Sequence, residues 1–104
     1  MYRHRAHAQV LYGHFNEYLK AIQELNAIAR KRGWPVSTVW TEVVGTGNEV
    51  IVEEEYSDLA SFAKVTQAFQ SDAEAMKIFR GTAGLVVQGS AHDELLEEVA
   101  RPLA

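Results

Sequence analysis

The chain has 104 residues, 47% hydrophobic and 23% charged, with a net charge of -4 and no cysteine. That length suits one domain spanning residues 1–104, the composition excludes a disordered chain, and the missing thiols exclude disulfides, thiolate metal sites and a cysteine nucleophile. No stretch approaches the ~20 apolar residues a bilayer requires and the opening MYRHRAHAQV lacks a secretory apolar block, so no membrane partner and a cytoplasmic location are expected.

In chain order, His7 to Tyr12 (HAQVLY) alternates loosely between polar and apolar residues and predicts a first strand, punctuated by Gly13. From Asn16 the period changes. Tyr18 or Leu19, Ile22, Leu25, Ile28 and Ala29 recur at three- and four-residue steps, which predicts an amphipathic helix with Asn16 as N-cap and Glu17 at its positive end. Gly33 supplies a left-handed C-terminal position and Pro35 prevents continuation. The basic run RKR at 30–32 falls at this helix end, where cations meet the negative pole of the dipole. Positive charge is otherwise thin: up to Pro35 the charges favour cations, and beyond it carboxylates dominate. Without a basic stripe interleaved with aromatics, nucleic acid is not an expected partner.

The β-branched run VSTVWTEVV at 36–44 predicts a second strand, GTGN a reversal, and Glu49 to Tyr56 an antiparallel return. Ser57 then caps a second helix whose inner line is Leu59, Phe62, Ala63, Thr66 and Phe69. Ser71 or Asp72 marks a further start, with Met76, Phe79, Ala83 and Val86 or Val87 at helical spacing despite Gly81 and Gly84. The end reads two ways: residues 84–89 as the last strand followed by a helix, which propensity favours, or the last strand at 93–100. Either way the order is strand, helix, strand, strand, helix, strand, the ferredoxin-like βαββαβ arrangement of the α+β class, with helices on one face of an antiparallel sheet.

Two stretches, ARKRGWP closing the first helix and NEVIVEEEYSDLASF running from strand into helix, resemble the dimeric α/β-barrel proteins and within them the NIPSNAP-like small domains. The resemblance implies that DELLEEVA is the closing strand and that Ala73 to Val87 is helical. It also implies a homodimer in which two sheets meet face to face, leaving a cleft for a small molecule between sheet and helices. A bare sheet face in need of cover fits that picture.

Within VIVEEEY the alternation of a strand separates the three carboxylates: Glu53 and Glu55 share a side with Ile51, while Glu54 shares the other with Val50, Val52 and Tyr56. Glu53 and Glu55 are expected at a solvated or dimer-rim position. Glu54, among apolar neighbours, either lines a polar cavity or marks the place where the strand leaves the core.

His4, His7, His14 and His92 show no HxH or HExxH spacing, and His4 and His7 fall on opposite strand faces, so neither a metal site, such as His7 or His14 with Glu54, nor any other cofactor is expected. GTGN lacks the third glycine and following helix of a phosphate loop, and no serine stands in a GxSxG turn. Related barrels include cofactor-free monooxygenases, and for that chemistry Tyr12, His14, Trp40 and Glu54 are the candidate catalytic residues, an aromatic wall with a proton acceptor for an activated phenol or enol. The reading adopted is a small-molecule-binding or non-catalytic dimeric module. The alternative is a cofactor-independent monooxygenase or isomerase acting on an aromatic or polyketide-like compound.

Overall fold

A computed structural model of the chain, describing residues 1–103, contains β1 (Tyr2–Gln9), α1 (Phe15–Arg32), β2 (Thr38–Thr41), β3 (Glu49–Tyr56), α2 (Leu59–Ser71), α3 (Ala73–Gly81) and β4 (His92–Glu97). All strand pairings are antiparallel, in the order β2-β3-β1-β4. The helices lie on one side only. This is the ferredoxin-like α+β arrangement expected from the sequence, with the last strand at the DELLEEVA segment.

The local boundaries follow the side chains. At the end of α1, Gly33 adopts φ 76°, and the Trp34 N–H closes onto the Ala29 carbonyl at 2.8 Å, a Schellman-type stop. Its start departs from expectation: the helix begins at Phe15, with His14 in the cap position and no side-chain cap, so Asn16 lies inside the first turn. Asp58, and not Ser57, caps α2 through a 2.7 Å bond from the Ser61 N–H, and Asp72 caps α3 through a 2.9 Å bond from the Ala75 N–H. Two carboxylates thus outcompete the neighbouring serines.

Three further boundaries differ from the sequence reading. β1 begins at Tyr2 and ends at Gln9, five residues ahead of the expected start, because its alternation is written in charged and small residues. β2 is confined to Thr38–Thr41, and the chain from 42 to 48 turns with Gly45 at φ 147° and Asn48 at φ 60°. Finally, α3 stops at Gly81. A single 3-10 turn, Ala83–Leu85, follows, and Val86 makes only an isolated bridge to Val10. On α2, Leu59 and Ala63 are exposed, and it is Phe62, Thr66 and Phe69 that turn inward.

The core joins Ala8, Val10, Val50 and Val52 of the sheet side to Tyr18 and Ile22 of α1. Trp34, Phe69 and Phe79 stack edge-on in sequence, at 6.2 and 5.6 Å between ring centres, and bind the ends of the helices together. Arg32 reaches from α1 to the α3 cap Asp72 at 2.8 Å, and the cap bond from the Ala75 N–H, helped by Arg32, holds that carboxyl below its usual range.

Candidate functional site

The register divides the residues of β1 and β3 between two environments. Toward the helices point Tyr2, His4, Ala6 and Ala8, level with Tyr56, Glu54, Val52 and Val50. Toward the bare side point Arg3, Arg5 and His7, level with Glu55, Glu53 and Ile51. The separation of Glu54 from Glu53 and Glu55 is therefore as the alternation requires.

Beneath the helices, His4 is the centre of a polar chain. Its Nδ1 lies 2.9 Å from Glu54 of β3 and its Nε2 3.1 Å from Asp93 of β4. Since both partners are carboxylates, both ring nitrogens donate and the ring is an imidazolium. The hydrogen bond to Glu54 lifts its pKa to about 9, against the opposing effect of burial and with help from Asp93. The other Glu54 oxygen accepts from Ser37 Oγ at 2.8 Å, and Asn26 of α1 fixes the Ser37 backbone through bonds of 2.8 and 3.1 Å. Burial, with the Glu54 charge beside it, pushes the Tyr56 phenol up to about 12, so it stays protonated. Phe62 of α2 lies over both, 5.5 Å from the His4 ring and 5.2 Å from the Tyr56 ring.

On the bare side a concavity of about 370 Å³ opens where the chain enters β2. Pro35, Val36, Thr38 and Trp40 form one wall and Arg3 with Glu53, Glu54 and Glu55 the other. Trp40 is 54% exposed, so apolar surface is presented to the space and not spent in the core. Glu53 holds Arg5 at 3.0 Å and Arg3 at 3.6 Å, while Glu55 pairs with Arg3 and is held below the usual carboxylate range by that bond. The concavity and the His4 chain meet back to back at Glu54.

The four residues singled out from the sequence do not converge. Trp40 and Glu54 border the same concavity. Tyr12 is 94% exposed in the turn after β1, and His14 stands at the N-cap position of α1 with its ring 2.9 Å from the Glu17 carboxylate, both at the opposite end of the sheet. His7, on the bare face, is separated from Glu54 by the sheet itself. Among the described residues no group of three or more histidine, aspartate or glutamate side chains is arranged to hold a metal ion, and no helix is long and apolar enough to cross a membrane. His4 stands outside the site expected from the sequence because the predicted first strand begins at His7, whereas β1 begins at Tyr2. The signal that finds it is the alternation Arg3-x-Arg5 against Glu53-x-Glu55: pairing those charges sets the register and brings His4 onto Glu54.

Fold and site together define a ferredoxin-like α+β domain, one antiparallel sheet with its helices on a single side. Solved structures of the same shape include an uncharacterised NIPSNAP domain protein from Burkholderia xenovorans, 17% identical over 100% of both chains with a TM-score of 0.81. They also include a NIPSNAP family protein from Agrobacterium tumefaciens, 19% identical over 99% of this chain and 98% of that one, with a TM-score of 0.77. An antibiotic biosynthesis monooxygenase is 12% identical over 96% of this chain and 100% of its own, with a TM-score of 0.74. The structural neighbours are thus the NIPSNAP and monooxygenase-type barrels named by the resemblance, and at these identities the likeness is one of fold. No family model and no curated protein sequence matches the chain.

Proposed function

We propose that the chain acts as a cytoplasmic homodimeric module that binds a small molecule in the concavity beside Trp40. The observation that carries this reading is the contrast in availability between the two polar regions. Under the helices the Glu54 carboxylate already takes bonds from His4 and Ser37, and the imidazolium has a carboxylate on each nitrogen, so proton acceptance there competes with bonds already made. In the concavity an exposed aromatic face stands beside charged groups with volume for a ligand. Small-molecule sites combine those features.

The test is a thermal-shift and tryptophan-fluorescence screen with quinols, enols and fatty acyl compounds. A ligand of this site raises the melting temperature with the logarithm of its concentration, and Trp40→Ala removes that shift. A ligand whose stabilisation survives Trp40→Ala contradicts the placement.

A second reading, a cofactor-independent monooxygenase or isomerase, is favoured by one specific feature. Ser37, Glu54, His4 and Asp93 form a continuous hydrogen-bonded chain from the concavity wall to solvent-facing β4, a path along which a proton could leave. Under that reading a quinol or enol is turned over, and Glu54→Gln abolishes turnover while retaining binding. Binding without turnover in the wild type leaves the module as the function.

A further inference from the structure

The bare face is not the apolar sheet surface that ordinarily requires cover. Its charges stand in columns. β1 presents Arg3, Arg5 and His7, and β3 beside it presents Glu55, Glu53 and Glu49, with Arg3 level with Glu55 and Arg5 level with Glu53. Trp40, Ile51 and Leu96 are the apolar side chains interspersed among them. These groups are already paired within the chain: Arg5 Nε to Glu53 at 3.0 Å, His7 Nδ1 to Glu49 at 2.8 Å, and His7 Nε2 to Glu94 of β4. Capacity remains, because a guanidinium has five donors and a carboxylate about four acceptor positions.

The strand order decides how a second copy would meet this face. In β2-β3-β1-β4 the midline falls between β3 and β1. A two-fold axis along that midline, parallel to the strands, exchanges left and right and keeps each level. It lays β1 of one copy over β3 of the other, so the arginine column meets the glutamate column at matching heights. An axis across the strands instead lays β1 on β1 and sets arginine against arginine. Only the first is attractive, and it is self-complementary as a two-fold interface must be. The same operation brings β4 of one copy over β2 of the other, which roofs the concavity beside Trp40.

We infer that the bare face is a self-complementary ionic docking surface for a second copy of this chain, with the cation column of each copy on the carboxylate column of the other. This rests on the homodimer proposed above, and adds to it the register of the two copies, the force that holds them and the completion of each ligand site by the other copy. An association of this kind is weakened by salt, unlike one driven by apolar burial.

Sedimentation equilibrium on the full chain tests it, using the wild type, Arg3→Glu/Arg5→Glu, Glu53→Lys/Glu55→Lys, and an equal mixture of the two variants. The wild type is expected to dimerise at low salt, and its dissociation constant to rise at least about tenfold between ~50 mM and ~1 M sodium chloride. Each variant alone, with both columns of one sign, should be monomeric, and the mixture should form a 1:1 heterodimer. A wild-type dimer indifferent to salt, or variants that self-associate like the wild type, would overturn the ionic register while leaving the homodimer standing. A wild type that is monomeric throughout would overturn both. Circular dichroism identifies any variant that fails to fold, and the milder Arg5→Gln and Glu53→Gln then decide: each weakens the dimer about tenfold if the inference is right and leaves it unchanged if it is wrong.

Discussion

The two faces of the sheet carry the same device in different surroundings. On each, a histidine of β1 is caught between a carboxylate of β3 and one of β4: His4 between Glu54 and Asp93 under the helices, His7 between Glu49 and Glu94 on the bare side. The covered one is closed by Ser37, Tyr56 and Phe62 and lies in a medium where losing a partner is costly. The bare one, His7 with Glu49, is as shielded by its neighbours as His4 with Glu54, but it belongs to a row whose other members, Arg3, Arg5, Glu55 and Glu94, reach water. Identical chemistry therefore serves cohesion on one side and, under the proposed homodimer, recognition on the other.

The largest expected effect breaks the covered cluster. Glu54→Ala leaves the His4 imidazolium and the Ser37 hydroxyl without their main acceptor, and urea denaturation should show a loss of about 3–5 kcal/mol. Glu53→Ala, one residue away but on the other face and measured on the monomer, frees Arg3 and Arg5, which are exposed enough for water to replace the lost bonds, and should cost about 1 kcal/mol. Equal losses would erase the distinction between the faces.

Alkaline pH separates the two histidines next. In the folded chain the His4 pKa stands at about 9, above its ordinary value of 6.5, so the folded state holds this proton more tightly than the unfolded chain. The resulting stability is complete below about pH 6.5 and is lost as pH rises through about 9, amounting to on the order of 3 kcal/mol. His4→Gln should flatten that decline. His7 is also raised, chiefly by its bond to Glu49, so its contribution has the same sign. A profile of stability against pH that His7→Gln flattens and His4→Gln leaves intact would reverse the assignment.

A smaller effect concerns the cover itself. Asp72→Ala removes the α3 cap and the tie to Arg32, and should cost about 1–2 kcal/mol. Asp72→Asn keeps the cap and loses the ion pair, and should cost only a few tenths of that, which thermal unfolding can resolve.

Much of the architecture is legible in the sequence where one physical signal dominates. The spacing of Tyr18, Ile22, Ile28 and Ala29, with Gly33 and Pro35 behind them, defines α1, and the alternation of Val50, Val52, Glu54 and Tyr56 assigns the carboxylates of β3 to their faces. Hydrophobic periodicity fails on β1, because Ala6 and Ala8 are the apolar side and Arg3, Arg5 and His7 the other, a pattern that resembles a charged tail until it is set against Glu53 and Glu55. Around Gly81 the apolar spacing of Met76, Phe79 and Ala83 runs on while the helix stops, so Ala83 keeps the period without keeping the α-helical backbone bonds. The candidate site was legible only in Trp40 and Glu54. His4, which gives Glu54 its meaning, comes from a strand whose register no local rule supplies.

The central claim, that a second copy completes the bare face and the covered face is complete in itself, is tested most directly by hydroxyl-radical footprinting of the native chain above and below its dissociation concentration. Trp40, on the bare face, should lose reactivity as the copies associate, while Tyr12, outside that face, should stay equally reactive at both concentrations. Trp40 reactivity that does not change as the protein associates, or protection that appears at Tyr12 instead, would contradict the account.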